Sequence, residues 1–149
     1  MPPSRRPPIT ALGATPDELE VRLYEALRNA DLDALMAVWA DDEDIVCVHP
    51  GGARVIGAAA IRASFEAIFA NGAIPVHAEQ VHRIDAMAAR VHHLHERVEV
   101  VTDDGPRSAW VIATNVYVQT AQGWRLVVHH ASPGGLQAPT LADNPSTLH

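Results

Sequence analysis

Lysine is absent from this chain, and all 11 basic residues are arginine against 18 acidic ones, for a formal charge of -7. No basic run is present either, which argues against nucleic acid or an anionic membrane as the main partner. The single cysteine, Cys47, excludes an internal disulfide and fits a reducing compartment. Its place inside an apolar run marks a buried structural thiol rather than a nucleophile. No stretch approaches the roughly 20 apolar residues of a membrane span. The opening MPPSRRPPITALG carries arginines but no apolar core of a secretory signal, so a cytoplasmic protein is expected. What remains is ordinary for a soluble domain: 149 residues, 48% hydrophobic and 19% charged, enough for one sizeable core and without internal repeats.

Residues 1–14 are proline-rich and aperiodic, and read as a flexible arm. Thr15-Pro16-Asp17-Glu18 then has the form of a helix start, with Thr15 as N-cap and Glu18 at capping-box spacing. Leu19, Leu23, Ala26 and Leu27 share one face of that helix. Asp31 caps a short second helix carrying Leu32, Leu35, Met36 and Trp39, which Asp41 to Asp44 closes. A third helix is expected over 58–70, ended by Asn71-Gly72. From Pro75 the period changes to two, predicting strands over 76–84, 90–102, 108–120 and 124–132 in an antiparallel meander. An extended tail follows from Pro133. The sum is an α+β domain over 15–135, with a tail over 136–149.

The stretch Ile45 to Gly57, IVCVHPGGARVIG, has a strand ending at His49 and a turn beginning at Pro50. An imidazole is thereby set at the lip of a strand, and imidazole titrates nearest neutrality of all side chains. His92, His93, His95, His129 and His130 lie on later strands, where alternation groups His93 with His95. A last hairpin turning at 120–123 pairs Asn115 with Val128 and Ala113 with His130, so that Asn115, Tyr117, Val128 and His130 share a face.

The run ALRNADLDALMAVWADDEDIVCVHPGGARVIGAAAIRASFEAIF, with four strands ending GWRLVVHHASPGG, resembles the nuclear-transport-factor-2-like superfamily of cone-shaped α+β domains, and within it the SnoaL-like proteins. This resemblance implies a strongly curved antiparallel sheet covered by N-terminal helices. It leaves function open among isomerases, cyclases, dehydratases and oligomerisation hubs. The segment ADLDALMAVWADDEDIVCVHPGG is similar to ketosteroid isomerases, which implies a base at His49 and a donor position at Asn115. The isomerase phenol falls at Leu23, with Tyr24 one residue out of register, so the two-donor oxyanion hole is not reproduced. From IFANGAIPVH to HHASPGGLQAP the chain is similar to the association domain of calcium/calmodulin-dependent protein kinase II. There His95 and Asn115 match basic pocket residues and His130 matches a histidine, which implies oligomers and a polar pocket.

The expectation is therefore a SnoaL-like domain that dimerises through its sheet and binds a small organic molecule. If it is an enzyme, His49 moves a proton next to a carbonyl, Asn115 and His130 hold the oxygen, and no cofactor is called for. Trp39, Phe65, His93, His95, Trp110, Tyr117 and Val128 are the expected ligand-binding residues. The alternative is a noncatalytic ligand-binding or assembly module like the kinase hub. A third reading puts a metal on His93 and His95 with His49 or His130, but no His-x-x-x-His helix or spaced carboxylate supports it.

Overall fold

A computed structural model describes residues 14–135 and 137–139. The expected N-terminal arm thus lies outside the described residues except for Ala14, and the C-terminal tail except for 137–139. Three helices, α1 (Pro16–Asn29), α2 (Leu32–Val38) and α3 (Ala58–Phe69), cover one face of a six-stranded sheet. The strands are β1 (Val46–Val48), β2 (Arg54–Ile56), β3 (Val76–Asp85), β4 (Ala89–Thr102), β5 (Gly105–Thr120) and β6 (Gly123–Gly135), in the order β2-β1-β6-β5-β4-β3. This is the expected curved α+β cone, with one correction. β3 to β6 form the expected antiparallel meander, and β1 joins it parallel to β6. Pro133 to Gly135, expected in the tail, continue β6, because Val111 and Trp110 of β5 pair with Pro133 and Gly135.

Local chemistry places the elements. Thr15 and Glu18 form a reciprocal capping box at the start of α1, each accepting the other's backbone N–H. Asp31 caps α2 by accepting the Ala34 N–H at 3.1 Å. The sequence His49-Pro50-Gly51-Gly52 makes a turn closed by the Gly52 N–H on the His49 carbonyl at 2.8 Å, and Gly51 takes a φ of 72° that a side chain would resist. The core fills the space between helices and sheet, with Leu19, Leu23, Leu35, Ile61, Leu94 and Leu126 fully enclosed. Among the described residues no helix is long and apolar enough to cross a membrane.

β6 carries the feature that sets the interior. From the Thr120–Gly123 turn its register with β5 runs straight to Tyr117↔Leu126, then slips by one so that Val116 pairs with Val128 and Asn115 with His129. Val127 is the extra residue. A one-residue bulge exchanges the faces of everything beyond it.

Candidate functional site

Three strands and one helix carry polar side chains into the core. The inward face of β4 reads His92, Leu94, Glu96, and that of β5 reads Val111, Ala113, Asn115, Tyr117. β6 adds His129, and α1 adds Glu20 and Tyr24, one turn apart on the stripe that also carries Leu23 and Leu27. Glu20 and Glu96, at 5% and 6% exposure, are two carboxylates held out of water, and both are partnered.

Asn115 organises them. Its Nδ2 donates to Glu20 Oε2 at 3.2 Å and to the Tyr24 hydroxyl at 3.1 Å, while His129 Nδ1 lies 2.5 Å from its Oδ1. With the amide nitrogen facing two acceptors, Oδ1 must be the acceptor for His129, whose proton is thereby fixed on Nδ1. Glu20 Oε2 also accepts from the Tyr117 hydroxyl at 2.8 Å and lies 3.0 Å from His92 Nδ1. Tyr24 donates onward to Glu96 Oε2 at 2.7 Å, and that oxygen stands 3.8 Å from His129 Nε2. Both phenols are pushed well above their ordinary 10.0, first by burial and then by the carboxylate each touches, so they act as neutral donors. Burial pushes His129 below its ordinary 6.5; Glu96 and Glu20 oppose that shift and His130 adds to it.

His49 stands beside this network, two residues beyond Cys47, which pairs with His129. Half-buried, its ring meets Phe65 edge-on with centroids 4.8 Å apart. Its Nε2 lies 3.1 Å from Ser64 Oγ, and that hydroxyl donates its own hydrogen to the Ile61 carbonyl at 2.8 Å. Ser64 can therefore only accept, which puts the His49 proton on Nε2 and leaves Nδ1 with a lone pair. Among the described residues Nδ1 has no hydrogen-bond partner. Burial lowers the His49 pKa and the nearby His129 lowers it further, so the neutral base dominates at neutral pH. The Cys47 thiol is pushed up to about 12, chiefly by burial, and is inert as a nucleophile.

Of the residues expected from sequence, His49, Trp39, Phe65, Asn115 and Tyr117 lie on the inner side. His93, His95, Trp110, Val128 and His130 lie on the opposite face of the sheet. His130 and Val128 were expected beside Asn115; the Val127 bulge sends both outward and brings His129 in. The three-nitrogen metal grouping is not assembled, because the sheet separates His49 from His93, His95 and His130, and the described residues hold no cluster of three or more metal-binding side chains. Asn115 spends both amide hydrogens inside the network, so it positions other groups rather than holding a ligand oxygen. Glu20, His92, Glu96 and His129 escaped the sequence argument. Two of them had a signal: Glu20 precedes Leu23, Tyr24 and Leu27 at helical spacing, and Glu96 alternates with Leu94. Tyr24, set one residue out of register by the isomerase likeness, is the phenol that reaches Asn115.

The network is reachable from outside. Glu20 and Tyr24 help line a groove of about 400 Å³ between α1 and β3, together with Arg28, His77 and Arg83.

Comparison with known proteins identifies the family and the fold. A protein from Thiobacillus denitrificans, provisionally assigned as a calcium/calmodulin-dependent protein kinase type II association domain, is 36% identical, with a TM-score of 0.73 over 83% of this chain and 98% of its own. A provisionally assigned dehydratase of the NTF2-like family from Streptomyces avermitilis is 28% identical, with a TM-score of 0.68 over 78% and 92%. The CaMKII hub of S. rosetta, at 23% identity and a TM-score of 0.65 over 83% of this chain and 100% of its own, shares the fold. No curated protein matches the sequence significantly. Residues 18–134 match the family described as the SnoaL-like domain, and on that span, nearly the whole described chain, the protein belongs to the SnoaL-like family.

Proposed function

We propose that this SnoaL-like protein binds a small, partly apolar carbonyl compound and moves a proton on it, with His49 as the base. The single observation that carries the proposal is the His49 ring, held at Nε2 by Ser64 and without a hydrogen-bond partner at Nδ1 among the described residues, beside a buried polar network. Nδ1 takes a proton from the carbon next to the carbonyl, and the C–H electron pair becomes the double bond of an enolate whose charge resides on oxygen. Returning that proton to another carbon completes an isomerisation. Delivering it to a β-hydroxyl, which leaves as water, completes a dehydration. Neither route needs an oxidant or a cofactor. Phe65 would shield the imidazole from water, and the Asn115–His129 bond would keep His129 in one tautomer. The likeness to the Streptomyces avermitilis protein supports a dehydratase. A screen of hydroxy- and unsaturated carbonyl compounds tests the proposal. Turnover of an accepted substrate is expected to fall about a hundredfold or more in His49→Ala; equal turnover would remove the role.

A second reading, a homodimer or hub built through the sheet, has its own support. The outer face carries an apolar row across all six strands: Ile84, Val91, Val116, Val128, Val46 and Ile56 pair in sequence. Ile84 and Ile56, at its ends, are 52% and 47% exposed. His93 and His130 flank the row. Such a band is what a second copy would cover, and the likeness to the Thiobacillus denitrificans protein supports assembly. The two readings are compatible, since they use opposite faces of one sheet.

A further inference from the structure

A different groove, of about 450 Å³, opens where the end of α2 meets the turn between β5 and β6. Arg125 is its unusual member. It is 6% exposed, yet among the described residues its hydrogen bonding is one Nη1 bond to the Trp124 carbonyl at 2.7 Å, and it forms no ion pair. Its Nε and Nη2 are not sealed in the core. The partly enclosed guanidinium has no counter-ion among the described residues, and an anion that settles on its open Nε and Nη2 supplies one. Burial also lowers the Arg125 pKa from its ordinary 12.5.

Trp39 lines the same groove and repeats the pattern. It is 3% exposed, its position is tied to β6 through the bridge to Leu126, and its indole Nε1–H is buried with no acceptor. Two side chains with unused donors, the Arg125 guanidinium and the enclosed Trp39 indole, therefore belong to the residues of one groove. The other lining residues have different character. Asp41 and Asp42 are exposed carboxylates, the latter accepting the Asp44 N–H at 2.7 Å, while Met36, Ala37 and Ala40 give an apolar wall.

We propose that this groove binds a small zwitterion of the α-amino-acid type with an aliphatic side chain. The carboxylate takes Arg125, with the Trp39 N–H behind it; the ammonium faces Asp41 and Asp42; the side chain lies against Met36, Ala37 and Ala40. A simple anion would satisfy Arg125 but meet the two aspartates unfavourably, and a simple amine would leave Arg125 as it is. The site shares no residue with the His49 network, so it stands or falls independently of the proton-transfer proposal.

Calorimetric titration of the full chain with L-leucine, L-leucinamide and N-acetyl-L-leucine tests it. L-leucine is expected to bind with a Kd of about 1 mM or tighter, and each blocked analogue at least about tenfold more weakly. Arg125→Gln should abolish the L-leucine heat while its thermal midpoint stays at or above that of the parent, because no ion pair is lost and the charge removed has no counter-ion. A midpoint that does not fall separates a lost site from a lost fold, and the ligand series on the parent chain needs no variant at all. Absence of heat with L-leucine up to about 20 mM overturns the site. Leucinamide binding as well as leucine overturns the role of Arg125, and N-acetyl-leucine binding as well as leucine overturns the zwitterion.

Discussion

Asn115 shows how much one fully buried side chain can fix. It holds Glu20, Tyr24 and His129 at once, so replacing it leaves His129 Nδ1 without its acceptor and takes one hydrogen bond each from Glu20 and Tyr24. Asn115→Leu is expected to lower unfolding free energy by about 3 kcal/mol or more, read from urea titration, since each buried group left short costs roughly 1–3 kcal/mol. The same burial makes stability depend on pH at both ends. His49 and His129 have folded pKa values below their ordinary 6.5, so the unfolded chain binds more protons there and stability is lost as pH falls below that value. Tyr24 and Tyr117 are raised above 10.0, so the folded state binds more protons and stability is lost as pH rises past it. Thermal midpoints across pH should therefore form a plateau bounded by those two values. A midpoint still rising as pH falls below the imidazole value would contradict the assignment.

At the scale of elements, the helix caps, the turn after His49 and the period-two strands were all legible, because each is written in a few adjacent residues. The Thr15–Glu18 box and the start of α2 at Asp31 need no tertiary context. The face of the last strand was not legible. The register counted from the Thr120–Gly123 turn is right as far as Tyr117↔Leu126, and only the bulge at Val127, which no glycine announces, exchanges His130 for His129. Glu20 and Glu96 were passed over for a related reason: a charged residue reads as solvated until a partner far away in sequence is known, and theirs lie 72 to 97 residues off. Deleting Val127 removes the extra residue and should leave Val116 opposite Val128 and Asn115 opposite His129 in an unbroken register, with His129 still inward and His130 outward. A single cooperative melt and the near-ultraviolet dichroism of Tyr117 are expected to persist, whereas their loss would show that Val127 does more than offset the register.

For the whole molecule, one sheet separates two kinds of surface. Its inner face holds buried polar groups, and its outer face leaves an apolar row from Ile84 to Ile56 in solvent unless a second copy covers it. Val128→Arg places a charge in the middle of that row, and sedimentation velocity should then show a dimer of the parent converted to monomer; a dimer that persists would move the interface elsewhere. The inner surface has its most direct test in nitrogen-15 NMR of the His49 ring across pH. The account predicts a neutral ring protonated on Nε2, bare at Nδ1, and titrating below 6.5. A ring carrying its proton on Nδ1, or titrating at or above that value, would contradict the base on which the proposed chemistry depends.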